Sequence, residues 1–330
     1  MPRPGRHEAG EARTFGAIDL GTNNCRLLIA RAEGEEFVVV DAFSRIVRLG
    51  EGLTASGRLS DAAVERAIGA LAICAGKLRR RRVTLVRSVA TEACRSAANG
   101  PAFVERVWRE TGLKLDVITA REEARLAVLG CHSLVEPGTG PALIFDIGGG
   151  STELVLVETG QGEPEILDWF SAPWGVVSLT ESEPALSDDR TGREAAYGRM
   201  RAKVEQAFAG FAARLPQPAG GARLLGTSGT VTTLASVHLG LPCYDRRAVD
   251  GARVPAEAMR AIGTQLAAMS VTERAELPCI GTERADLVVA GCAILDAILD
   301  IWPAERLTVA DRGIREGILR TLMAHRGRAS

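Results

Sequence analysis

Apolar positions run along the chain in two rhythms. Between residues 15 and 50 they come in short aliphatic blocks, FGAIDL, CRLLIA, EFVVVDAF and RIVRLG, which predict strands. From Ser60 the spacing opens to three and four in SDAAVERAIGALAICAGKLRRRR, which predicts a helix with Ser60 as its N-cap. VTLVRSVAT then reads as strand, PAFVERVWRETG as helix, LKLDVIT as strand and REEARLAVLGCHSL as helix. The polar stretch EPGTGP, residues 136–141, interrupts the pattern as a linker. Beyond it LIFDI and LVLVE are strands, helices are expected near 187–214, 255–270 and 283–300, RLTVAD is a closing strand, and RGIREGILRTLMAH is a final helix. Strands and helices alternate on both sides of the linker, so the expectation is an α/β protein of two domains, and 330 residues suit two cores better than one.

Composition narrows the function. With 46% apolar and 25% charged residues the chain is globular, and a formal net charge of -1 gives no global reason to bind nucleic acid. No run of about 18 apolar residues is present to span a membrane. Residues 1–13 are polar and lack an apolar signal core, which predicts a disordered leader. The seven cysteines are scattered without a C-x-x-C pair, which argues against a disulfide framework and for the reducing cytoplasm. His7, His132, His238 and His325 have no ligand spacing, so neither a histidine metal site nor a Ser-His-Asp triad is expected.

The candidate chemistry lies in glycine turns. FDIGGGSTELVLVE places Asp146 at the end of a strand, followed by Gly148-Gly149-Gly150 and a second strand. That is a hairpin; the dinucleotide fingerprint would continue into a helix, and a P-loop would need a lysine after its last glycine. Glycines let a ligand approach the backbone, and successive amides form an anion nest. AIDLGTNNCRLLIA repeats the arrangement and sets Asp19 on Asp146. Two such hairpins facing one cleft would give two anion nests, each with a carboxylate beside it. A carboxylate next to phosphate implies a bridging cation, Mg²⁺ above all. A third turn, Gly226-Thr227-Ser228-Gly229-Thr230, leads toward a helix near Val231 and offers amides at a positive dipole end.

AIDLGTNN, VATEACRSAAN, ITAREEARLAVLG, FDIGGGSTELVLVE, LGTSGTVTTLA and ADRGIREGIL occur in that order, and together they resemble the Ppx/GppA phosphatase family of exopolyphosphatases and guanosine pentaphosphate phosphohydrolases. The resemblance covers about residues 14 to 320. It implies the fold shared by actin, Hsp70 and sugar kinases (ASKHA): two ribonuclease-H-like α/β domains around a central cleft. The domains would be residues 14–130 and 131–311, with a helix at 312–325 packing back on the first. It implies hydrolysis of the terminal phosphoanhydride of inorganic polyphosphate, or 5′-phosphate removal from pppGpp, a nucleotide of the stringent response. Glu123 matches the proposed general base. Its neighbour Glu122 is distinguished only by motif register, since the bare sequence allows either. Arg95 matches a phosphate-contacting arginine, able to grip two oxygens at once. Asp146 and Glu153 match acidic positions associated with divalent metal, and Asp19 occupies the equivalent hairpin. Backbone amides of Gly21, Thr22, Asn23 and Asn24, of Gly148, Gly149, Gly150, Ser151 and Thr152, and of Thr227, Ser228, Gly229 and Thr230 would cradle phosphates. Asp311, Arg312, Gly313, Arg315 and Glu316 match a tail motif expected to support the cleft and open the last helix.

Two positions depart from the family pattern: Asn24 stands where a hydroxyl residue is usual, and Ala310 where serine is common before the tail aspartate. Long members carry a further C-terminal helical region that is not expected here, so a polymer channel is expected to be shallow or completed by a homodimer. Arg79 to Arg82 read better as cations at a helix C-terminus than as a polyanion edge. The competing classes are an actin-like kinase or ATPase and a (p)ppGpp-binding protein without turnover.

Overall fold

The computed structural model describes residues 13–34, 36–160, 162–183, 189–218 and 221–324; the expected leader, His7 and His325 lie outside them. The strands of the first half are β1 (Thr14–Leu20), β2 (Asn24–Glu33), β3 (Glu36–Ile46), β4 (Leu85–Ala90) and β5 (Leu115–Val117). Those of the second are β6 (Ala142–Ile147), β7 (Thr152–Glu158), β8 (Glu165–Ala172), β9 (Arg223–Thr227), β10 (Arg253–Pro255) and β11 (Arg306–Ala310). The helices are α1 (Leu53–Ser56), α2 (Asp61–Arg80), α3 (Glu92–Ser96), α4 (Gly100–Thr111), α5 (Ala120–Cys131), α6 (Val176–Glu181), α7 (Arg190–Ala212), α8 (Gly229–His238), α9 (Arg246–Val249), α10 (Ala256–Ala268), α11 (Val271–Ala275), α12 (Val288–Ile301) and α13 (Ile314–Ala324).

Two sheets form, ordered β3-β2-β1-β4-β5 and β10-β11-β9-β6-β7-β8. In the first, an antiparallel meander continues into parallel β4 and β5. The second repeats this with β6, β7, β8, β9 and β11 in the same roles and adds antiparallel β10 at the edge. The repeat expected from the two hairpins is therefore a repeat of whole sheets. Parallel strands need crossovers, and α2 and the long α7 fall between the third and fourth strands of their sheets. Ser60 does cap α2, its hydroxyl accepting from the Ala63 amide at 3.3 Å.

EFVVVDAF and RIVRLG are not two strands. Glu36–Ile46 is one eleven-residue strand, and the residues after it turn beneath the first hairpin, where the amides of Val47 and Arg48 both donate to the Asn23 carbonyl at 2.9 and 3.0 Å. The helix expected from about residue 283 starts at Val288. Arg79 and Arg80 lie in the last turn of α2, and Arg81 pairs with Asp41 at 3.0 Å. All seven cysteines are free thiols, and among the described residues no helix is long and apolar enough to cross a membrane.

The two halves share a helix pair. One face of α5, with Leu126 and Ala127, joins Ile314, Ile318 and Leu319 of α13 and Phe15 of β1 in one apolar cluster. Another face, with Ala124, Val128 and Cys131, packs on Ala142 and Ile144 of β6 and Val155 of β7. The helices cross so closely that a Cβ on Gly130 would lie 2.0 Å from the Gly313 carbonyl oxygen, and one on Gly317 would lie 2.0 Å from that of Leu126. Those obstacles are backbone, which cannot rotate aside. Gly317→Ala is expected to lower stability by at least ~1–3 kcal/mol, the usual cost of overpacking. Thermal unfolding monitored by circular dichroism measures this, and an unchanged midpoint would contradict the crossing.

Candidate active site

The two hairpins and the third turn meet at one cleft. Asp19, Gly21, Thr22, Asn23 and Asn24 line it from the first half. Asp146, Gly148, Gly149, Gly150 and Ser151, and the turn Thr227, Ser228, Gly229 and Thr230, line it from the second. Glu123 opens onto the same space, as do Asp311, Arg312, Gly313 and Arg315. The hairpins touch: a Cβ on Gly149 would lie 2.9 Å from Thr22 Cβ and 3.1 Å from the Asn23 amide nitrogen. Only a residue without a side chain allows that approach.

Not every turn amide is available to an anion. Gly21 donates to the Asn24 carbonyl and Gly148 to the Ser151 carbonyl, each at 2.9 Å, closing the two turns. The amides of Thr22, Asn23, Gly149 and Gly150 have no such partner among the described residues. In the third turn Thr227 Oγ1 donates to the Arg312 carbonyl at 2.6 Å and ties the turn to the tail motif. Ser228 has φ 102 and ψ 177, a region that side chains other than glycine's occupy at a cost of about 1–3 kcal/mol. Its buried Oγ has no hydrogen-bond partner. Thr152 lies off the cleft, fully buried, with its hydroxyl donating to the Trp174 carbonyl at 2.7 Å.

The structure separates Glu122 from Glu123. Thr119 caps α5 through the Glu122 amide, so both acids fall in the first turn. Glu122 points away, held by Arg125 at 2.8 Å and Arg87 at 2.9 Å, and those hydrogen bonds pull its carboxyl below the usual range. Glu123 is 7% exposed. Its Oε2 accepts from Arg95 Nη1 at 3.1 Å. Arg95 stands behind this acid and is not part of the cleft lining.

Three acids, Asp19, Glu123 and Asp146, crowd the cleft floor, and Glu153 lies close behind them. Burial, then the charge of Glu153, pushes Glu123 well above its ordinary value, against the pull of Arg95. Burial raises Asp19 despite Arg26 and Arg315. Burial and then Asp19 raise Asp146 to about 6. Burial and then Asp146 raise Glu153 to about 7, although Ser151 and Ser171 each donate a hydroxyl to its Oε1 at 2.8 Å. Glu153 is itself behind the lining. Among the described residues no three histidine, cysteine or acidic side chains converge as a ready-made metal cage. Asp19 Oδ1, however, is buried without a partner. That arrangement fits a hard cation held by one or two carboxylates and completed by phosphate oxygens and water, the usual manner of Mg²⁺.

Three cleft residues escaped sequence reasoning. Arg26 faces Asp19 directly across the β1–β2 register, a signal present in the hairpin spacing itself. Arg284 reaches in from the segment before α12, donates to Thr233 Oγ1 at 2.7 Å and is lowered by burial and then by Arg26; no local motif marks it. Glu92 sits inside VATEACRSAAN, where only Arg95 drew attention. Ala310 is fully buried in the apolar cluster against α5, so the hydroxyl it lacks does not face the cleft.

Two ribonuclease-H-like sheets of matching order, with a hairpin from each closing on a shared cleft, define the ASKHA class of two-lobed α/β proteins. The family model for the Ppx/GppA phosphatase family matches residues 28–326, and the chain belongs to that family. An exopolyphosphatase 2 of Mycobacterium tuberculosis is 33% identical over 325 residues, spanning 93% of this chain and 97% of the relative. A guanosine-5′-triphosphate,3′-diphosphate pyrophosphatase of Aeromonas salmonicida is 28% identical over 94% of this chain and 60% of its own. Among solved structures, the Aquifex aeolicus family member superposes with a TM-score of 0.77 at 29% identity, covering 95% of this chain and 98% of the other. An exopolyphosphatase from Cytophaga hutchinsonii gives 0.84 at 25%, covering 95% and 98%.

The raised acids carry a pH signature. A carboxyl whose folded pKa exceeds its unfolded value makes the folded state bind more protons, so its contribution to stability falls as pH rises between the two values. For Glu153 that window runs from 4.5 to about 7. Glu153→Gln keeps an oxygen for both serines and is expected to raise the thermal midpoint at pH 8 in metal-free buffer, with the gain gone at pH 4. A gain of equal size at both pH values would contradict burial of the charge.

Proposed function

We propose that the chain is an exopolyphosphatase that removes the terminal phosphate of inorganic polyphosphate with water activated by Glu123. As a Ppx/GppA member it is a phosphoanhydride hydrolase. The observation that carries the assignment of roles is that Glu123, of the two acids opening α5, is the one buried on a cleft where unpaired amides from both lobes converge.

The amides of Thr22, Asn23, Gly149 and Gly150 and the N-terminus of α8 bind phosphate oxygens and hold the terminal group in line with the attacking water. Arg26 and Arg284 add positive charge from opposite lobes, where the phosphate chain is most negative. Glu123 accepts the proton of the water as its oxygen bonds to phosphorus and the bond to the bridging oxygen breaks; the shortened polyphosphate leaves. Phosphoryl transfer needs this positioning and charge stabilisation more than covalent help. A base with a raised pKa takes the proton more readily once ionised. Asp19 and Asp146 would hold Mg²⁺, with Glu153 behind Asp146; when bound, the cation neutralises charge on the phosphates.

The second reading is 5′-phosphate removal from pppGpp, favoured by the alignment of the Aeromonas salmonicida relative along 94% of the chain. Both readings place the enzyme in the cytoplasm, divide it at 14–130 and 131–311, and allow a homodimer to lengthen the path of a long polymer. Phosphate release from polyphosphate, pppGpp and ATP, each with and without Mg²⁺, tests them. Polyphosphate is expected to turn over fastest, and only with the cation. Faster release from pppGpp selects the second reading. Release from ATP alone, or tight (p)ppGpp binding with no release at all, overturns both. Glu123→Ala is expected to lower turnover by about 10²–10⁴-fold, the usual contribution of a general base, in a protein with unchanged circular dichroism.

A further inference from the structure

We infer that Glu92 is a positioning residue for this reaction: it anchors Arg95, and through Arg95 it sets the carboxylate of Glu123. The inference rests on the reading of Glu123 as the base. A guanidinium has five N–H groups in one rigid plane. In Arg95, Nε donates to Glu92 Oε2 at 3.0 Å and Nη2 donates to the same oxygen. Nη1 serves the Ile118 carbonyl at 2.8 Å and Glu123 Oε2 at 3.1 Å. Four of the five donors are therefore committed, and the two-point grip on phosphate that the motif resemblance implies for Arg95 is not available in this arrangement. The plane is instead clamped between two acids, with Glu92 on one edge and Glu123 on the other. Because the plane is rigid, freeing the Glu92 edge leaves it held through Nη1 alone, by the Ile118 carbonyl and Glu123, so its angle to Glu123 is no longer fixed from both sides.

Glu92 is well placed to clamp. Its other oxygen accepts from Ser96 Oγ one helical turn on. It lines the cleft, and it packs where the lobes meet: a Cβ on Gly150 would lie 3.0 Å from Glu92 Cγ and 2.7 Å from Thr22 Oγ1. The hairpin of the second lobe thus backs the residue that orients the base of the first.

The test is steady-state kinetics of Glu92→Ala, Glu92→Gln, Arg95→Lys and the Glu92→Ala/Arg95→Lys double variant, on polyphosphate of defined length or pppGpp, whichever the wild type hydrolyses. Glu92→Ala is expected to lower kcat about 10- to 100-fold, as a misplaced catalytic group does, with KM changed less than ~3-fold. Glu92→Gln, whose amide oxygen still accepts from Nε, recovers part of the loss. Arg95→Lys costs less in the Glu92→Ala background than in the wild type, because the two residues act as one unit. If Glu92→Ala fails to fold by circular dichroism, the isosteric Glu92→Gln and its double variant with Arg95→Lys carry the comparison. A wild-type kcat, additive losses, or a lower KM with kcat retained overturns the inference; the last would mean that Glu92 only competes with phosphate for Arg95. A wild type inactive on every substrate overturns the functional reading itself, a result distinct from active Glu92 variants.

Discussion

The cleft depends on the crossing of α5 and α13. Two glycines, Gly130 and Gly317, let each helix rest on the other's backbone carbonyls. Interiors pack at crystal-like density, so a crossing this close has little slack. Because one face of α5 is buried against the first sheet and another against the second, the helix can neither slide nor rotate without opening an apolar cluster. Its first turn is therefore fixed between the lobes, and Glu123 with it. A carboxylate on a loop could reach the same place, but no such packing would hold it there.

Against that rigid frame stands an electrostatic arrangement that is unfavourable by itself. Glu123, Asp19, Asp146 and Glu153 are all raised first by burial, and Asp146, Glu153 and Glu123 are raised further by neighbouring acids. Arg26, Arg315 and Arg95 oppose this only in part. Ser228 adds a strained backbone at the third turn. Perturbed acids and backbone outliers concentrate where function requires them, and the large cores of the two lobes can carry the destabilisation. A cation and a polyanion entering together would relieve both the crowding of the acids and the unpaired amides, so binding and stability are coupled at one place.

The sequence made the repeat legible because each hairpin is encoded locally, as an apolar strand, an acid, glycine and a second strand, and short-range signals survive without knowledge of tertiary contacts. The cap of α2 at Ser60 was legible for the same reason. Glu122 and Glu123 could not be told apart from the residues alone, since which of two adjacent acids faces inward is set by α5 docking on both sheets. Arg284 lay beyond reach because it joins Arg26 only when the lobes are brought together. The engagement of Gly21 and Gly148 in closing their own turns was likewise invisible: a glycine run announces amides, but not which of them the turn consumes. β3 ran through what the pattern divided into two strands because its sheet continues past a polar pair, Ser44 and Arg45, on an exposed edge.

The hairpins share a register yet differ where it matters. Asp19 faces Arg26 across β1 and β2, and Asp146 faces Glu153 across β6 and β7. Two structurally equivalent positions thus carry opposite charges. In the first lobe Arg26 stands on the cleft itself and offsets the aspartates of both hairpins, Asp19 and Asp146. In the second, the acid lies behind, kept by two serine hydroxyls, and is itself raised by burial and then by Asp146. A duplicated fold with identical turns would offer a phosphate chain two indistinguishable ends. The exchange of arginine for glutamate breaks that symmetry: under the proposed activity the first hairpin offers phosphate oxygens a guanidinium that the second hairpin lacks.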